Sequence, residues 1–75
     1  MIYKSKFPLL IFKFNVQEIL VLNLISEGLT NQQIGDKIFK SRRTIDGVRV
    51  MLLSKSGTKN TAALIAFGFR SGILV

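Results

Sequence analysis

Helix start and stop signals divide residues 28–57 of this chain at spacings that leave room only for short helices. Gly28 closes one apolar run, Thr30 is placed to cap the next helix, Ser41 caps a third, and Gly57 ends it. Each signal has a local cause. Ser, Thr and Asn oxygens accept from the first unpaired amides of a helix, and glycine enters the left-handed conformation that ends one. The same reading extends outward. Asn15 with Glu18 three residues later spells a capping box that opens a helix over residues 16–27. Asn60 caps and Gly72 stops a last helix over residues 61–71. With residues 31–38 and 42–56 between them, the expectation is an all-α, compact four-helix domain over residues 15–75. An irregular or extended N-terminal segment, residues 1–14, precedes it. That segment holds Pro8, the only proline, and its Tyr3, Phe7, Leu9, Ile11 and Phe14 are apolar enough to pack on the body.

Apolar spacing assigns the faces. Val21, Leu22, Leu24 and Ile25 supply cover from the first helix, and Ile34 and Ile38 share a face of the second. Gly35 is costly inside a helix, by ~1 kcal/mol relative to alanine, which predicts a close helix–helix approach beside Ile34. Successive residues of the third helix lie about 100° apart. Ser41, Ile45, Val48 and Leu52 therefore face the core, and Arg43, Gly47, Val50 and Ser54 face away, flanked by Asp46 and Met51. Arg42 and Arg49 fall near the inner border. The fourth helix carries Leu64, Ile65, Phe67 and Phe69, more apolar surface than one face of a short helix needs. Either a second subunit covers it, or residues 1–14 do.

Composition narrows the class. Seventy-five residues make one small domain, and a 48% apolar content suffices for a core. Chains near 60 residues bury only ~60% of their unfolded surface, so a partner subunit would help. With no cysteine and no histidine, a disulfide framework and a conventional zinc site are excluded. No stretch approaches the ~20 apolar residues that span a bilayer. The basic, apolar start lacks the length and cleavage site of an export signal, so a cytoplasmic location is expected. The net charge of +7 is concentrated: between Lys37 and Lys59, the bases Lys37, Lys40, Arg42, Arg43, Arg49, Lys55 and Lys59 oppose the single acid Asp46. A cluster of that kind suits a polyanion, or is simply a solvated basic face.

Two short helices joined by a tight turn, the second opening Ser-Arg-Arg-Thr, are how a helix-turn-helix offers a recognition helix to the major groove. On that reading Arg43 is the candidate for a base or groove-lip contact, and Arg42 and Arg49 suit flanking phosphates. Ser41 is a cap whose backbone end can also meet a phosphate. Lys55 and Lys59 serve either phosphate or the negative end of the third helix. Glu18 is assigned no role beyond capping. Enzyme chemistry is not expected: Glu18, Glu27, Asp36 and Asp46 do not pair in a pocket, and no glycine-rich phosphate loop is present. Neither a cofactor nor a small-molecule substrate is implied.

The order of five pieces resembles the LuxR/GerE-type helix-turn-helix domain of bacterial transcription regulators, over about residues 14–74. They are Phe14-Asn-Val-Gln-Glu-Ile-Leu-Val-Leu, Ile25-Ser-Glu-Gly-Leu-Thr-Asn-Gln-Gln-Ile, Ile38-Phe-Lys-Ser-Arg-Arg-Thr-Ile, Lys55-Ser-Gly-Thr-Lys-Asn and Gly72-Ile-Leu. The resemblance implies binding to double-stranded DNA, usually as a homodimer, with the third helix in the major groove and the fourth at the dimer contact. It places Thr30, Asn31, Gln32, Thr44 and Lys55 at positions that meet the DNA backbone. Asp46, Gly47 and Val50 fall at positions that face bases. The apolar surplus of the fourth helix puts Leu64, Ile65, Phe67 or Phe69 in the expected dimer interface. There are departures. Asp46 stands where the family commonly has a basic residue, Val48 where it often has histidine, and Ser56 where it usually has leucine. With Thr58, Ser56 is expected to loosen the end of the third helix. The acid and the bare glycine on the reading face motivate an alternative: a helix-turn-helix scaffold for protein–protein contact, dimerising with or blocking another regulator protein. Binding of the basic N-terminus to an anionic membrane surface is a weaker third option.

Overall fold

The computed structural model describes residues 13–75, and within them the chain forms four helices and no strand. These are α1 (Val16–Ser26), α2 (Asn31–Ile38), α3 (Arg42–Ser56) and α4 (Thr61–Ser71). Every helix starts at the cap its sequence specifies. The Asn15 Oδ1 accepts from the Glu18 amide at 2.7 Å while the Glu18 carboxylate accepts from the Asn15 amide at 2.9 Å. Thr30 and Gln33 form a second such box, at 3.2 and 2.8 Å. The Thr-x-x-Gln spacing that encodes it is plain in the sequence and complements the cap read there. Ser41 accepts from the Thr44 amide at 3.1 Å and Asn60 from the Ala63 amide at 2.9 Å.

The helix ends are less uniform. α1 stops at Ser26, one residue before the expected end, with Glu27 as its C-cap. α2 ends on Phe39, a non-glycine residue at φ 61° whose ring is 93% exposed. A left-handed residue with a Cβ costs roughly 1–2 kcal/mol, and no burial of the ring offsets it. The Lys40 amide bonds back to the Gly35 carbonyl at 2.9 Å and holds the turn. Gly35 owes its place to that same turn. A Cβ there would lie 2.5 Å from the Lys40 carbonyl oxygen, so the close approach is to the backbone leading into α3. The helix–helix contact anticipated beside Ile34 is replaced by this one.

The end of α3 is tied rather than loosened. Ser56 donates to the Leu53 carbonyl at 3.2 Å and shares a 2.7 Å bond with the Thr58 hydroxyl. The Thr58 amide reaches the Leu53 carbonyl at 3.1 Å over Gly57, which is left-handed at φ 68°. Ser56 is thus part of the cap that ends α3.

α3 packs against each of the other helices, most extensively α2 and α1. Val21, Leu22, Ile34, Ile45, Leu52 and Leu64 are fully enclosed, with Phe14, Leu24, Ile25 and Leu74 closing the core. Val48 and Ile38 pack against it partly buried. Ser41, at the end of the inward row of α3, lies beyond the core and is exposed. Leu74 folds back over Gly68, its amide bonding the Gly68 carbonyl at 2.9 Å. A Cβ on Gly68 would meet the Leu74 side chain at 2.5 Å. The Phe14 ring lies 6.0 Å from that of Phe67. Part of the apolar surface of α4 is therefore covered from within the chain, by Phe14 and the C-terminal residues. The expected packing of residues 1–12 lies outside the described residues.

Candidate nucleic-acid interface

α2 and α3 meet across the Phe39–Lys40 turn, and the outer side of α3 faces solvent. Arg43, Asp46, Gly47, Val50, Met51 and Ser54 are all exposed there, Val50 by 63%. The wheel drawn from the sequence required this orientation. Arg43 makes no hydrogen bond or ion pair with a described residue, so its guanidinium can take a new acceptor.

Beside this face the starts of α2 and α3 border an open cleft of about 380 Å³, lined by Thr30, Asn31, Gln32, Arg42 and Arg49. Ser41 and Thr44 share a 3.0 Å hydroxyl contact at the start of α3. First-turn amides carry the positive end of each helix dipole, and with two guanidiniums alongside they make a surface favourable to phosphate.

One chain of contacts ties this surface together. The Asn31 amide nitrogen donates to Asp46 at 2.7 Å, and its oxygen accepts from Arg49 at 2.5 Å. Arg49 also donates to the Thr61 hydroxyl at 2.9 Å. Asp46 lies 4.0 Å from the Arg42 Nε. The network links α3 to the first residues of α2 and α4. Asp46 is thus held at the edge of the exposed face of α3 by an amide and a guanidinium. Asn31 and Arg49 spend their side chains on the scaffold.

Lys55 is placed differently from the other basic residues. Its ammonium lies 2.8 Å from the Glu18 carboxylate, with the Glu18 side chain only 5% exposed. Glu18 therefore does more than cap α1: it anchors the last turn of α3 to the first turn of α1. Nothing in either local sequence signals a pair 37 residues apart. Thr61, which receives Arg49, is another participant without a local signal.

On α4 the candidate interface residues divide by exposure. Leu64 is wholly enclosed and offers a second subunit nothing, while Ile65 and Phe67 are partly buried against the core. Phe69, at 53% exposure, is the large apolar side chain that α4 presents to solvent among the described residues. Among the described residues no group of three or more His, Cys, Asp or Glu comes together, and no helix is long and apolar enough to cross a membrane.

Short capped helices, a tight turn and an outward-facing basic helix define a helix-turn-helix domain. Residues 14–67 match the GerE family, bacterial regulatory proteins of the luxR family, and the chain belongs to it. Among curated relatives it is 39% identical over 51 residues to the DNA-binding transcriptional activator DevR/DosR of Mycobacterium tuberculosis, covering 68% of this chain and 24% of that protein. It is 28% identical over 58 residues to the oxygen regulatory protein NreC of Staphylococcus aureus, covering 77% of this chain and 27% of NreC. The chain thus spans about a quarter of the length of these relatives. No solved structure matches it significantly.

Proposed function

We propose that this chain is the DNA-binding module of a bacterial transcription regulator, acting in the cytoplasm and placing α3 in the major groove of duplex DNA as a homodimer. The observation that carries the reading is the joint geometry of the two helix starts. The cleft lined by Thr30, Asn31, Gln32, Arg42 and Arg49 abuts the exposed face of α3. A groove wall resting in that cleft brings a phosphate strand to the helix dipoles while α3 enters beside it. Arg43, unpaired among the described residues, reaches the base edges or the groove lip. The relatives' printed roles as a transcriptional activator and a regulatory protein agree with this reading.

Fluorescence anisotropy against random-sequence duplex tests it. Affinity falls steeply as salt rises, with a logarithmic slope of about −0.9 per phosphate contacted, and Arg43→Ala makes the slope shallower by about one contact. Absence of duplex binding at low salt sinks the reading. It would favour the scaffold alternative, in which the exposed Val50 and Met51 dock another regulator.

A further inference from the structure

Between Arg43 and Ser54, the outer side of α3 offers few free hydrogen-bonding groups. Asp46 is occupied by the Asn31 amide at 2.7 Å, Gly47 has no side chain, and Val50 and Met51 are apolar and exposed by 63% and 46%. Gly47 is the informative residue. A Cβ built on it meets nothing within 4 Å, so neither packing nor a turn among the described residues calls for glycine there. An exposed mid-helix glycine nevertheless weakens folding relative to alanine, by about fivefold in the equilibrium constant. A destabilising residue with no internal cause marks a surface that something outside approaches closely.

We propose that this face reads the 5-methyl groups of thymines in the major groove, Val50 and Met51 making the contacts and Gly47 letting the helix seat closely, so that its preferred ligand is A·T-rich duplex DNA. The proposal rests on the DNA-binding reading above and extends it to base preference. Its chemistry is apolar. Thymine alone among the bases presents a methyl in the major groove, and side chains without donors distinguish it by contact rather than by hydrogen bonding. With Gly47 bare, the two apolar side chains one turn further along flank the space it leaves on this side of the helix. Burying one methyl is worth about fourfold in affinity.

The test uses the 75-residue chain with three short duplexes: alternating A·T, the same sequence with deoxyuridine for thymidine, and alternating G·C. Deoxyuridine keeps every hydrogen-bonding group and removes only the methyls. The A·T duplex is expected to bind tightest, and the deoxyuridine duplex more weakly by about fourfold for each methyl contacted. Val50→Ala, at a position too exposed to disturb the core, narrows that ratio. Gly47→Ala raises the melting temperature yet lowers affinity for the A·T duplex. Equal binding of the thymidine and deoxyuridine duplexes, with the salt slope of phosphate contacts intact, overturns methyl reading and leaves DNA binding standing. A Gly47→Ala protein that binds as well as the parent overturns the role given to Gly47. Absence of binding to any of the three at low salt overturns the DNA reading itself, and this proposal with it.

Discussion

The ion pair between Glu18 and Lys55 permits a quantitative test of what fastens α3 to α1. Glu18 accepts from the Asn15 amide at 2.9 Å and from the Lys55 ammonium at 2.8 Å, and it is the buried charged residue of the described core. Breaking a buried pair by removing one partner costs roughly 3–5 kcal/mol, because the other charge stays behind unmatched. Lys55 retains 26% side-chain exposure, so water takes up part of its charge, and the expected loss on Glu18→Gln is nearer ~2–3 kcal/mol. A domain of 75 residues has about 4–11 kcal/mol in total at 0.05–0.15 per residue. At roughly 4–8 °C per kcal/mol, the melting temperature should fall by at least about 8 °C. Glutamine keeps the acceptor for the Asn15 amide, so the loss reports the pair and not the cap. Lys55→Met keeps the aliphatic stem but strands the Glu18 charge, and should cost a comparable amount. The double variant has no charge to strand and should recover much of the loss. Urea and thermal unfolding followed by circular dichroism give the cycle, with an expected coupling above ~1.5 kcal/mol. Losses that simply add, within the ~0.5 kcal/mol typical of independent sites, would refute the reasoning. Because the ammonium is committed to Glu18, Lys55→Met should also leave the salt slope of duplex binding nearly unchanged.

Three further outcomes follow from named contacts. Gly35→Ala should destabilise the domain by about 1–3 kcal/mol despite alanine's better helix propensity, because the new Cβ is driven into the Lys40 carbonyl; a raised melting temperature would contradict the tight turn. Phe69→Glu, at the exposed apolar position of α4, should shift a dimer to monomer in analytical ultracentrifugation without altering helical content. A parent chain that is monomeric at high micromolar concentration would remove the interface altogether. Asp46→Asn keeps an acceptor for the Asn31 amide while removing a negative charge beside the groove, so affinity for any duplex should rise at low salt and the gain should shrink as salt screens it; unchanged low-salt affinity would mean α3 does not lie in the groove.

The four helices were legible in the chain because their causes are local. A capping residue and the amide it serves are three positions apart, an apolar stripe repeats within one or two turns, and a glycine stop acts on its own backbone. The same locality made the exposed face of α3 readable, since the placing of Gly47 and Val50 outward needs only the pitch of the helix. The left-handed Phe39 escaped notice because its conformation is imposed by the bond from Lys40 to Gly35 and not by its own side chain. Contacts between helices were not readable at all. Asn31 with Arg49, Arg49 with Thr61 and Glu18 with Lys55 join residues 12 to 37 positions apart. Each partner has an ordinary reading by itself, as a first-turn residue, a solvated base or a cap. Leu74 over Gly68 likewise turned apolar surface that could have served a second subunit into core. Sequence determined which helices form and where they begin, because hydrogen bonds near a helix end are settled within a few residues. Tertiary structure decided which polar side chains remain available to a ligand, because only packing brings a distant partner close enough to occupy them.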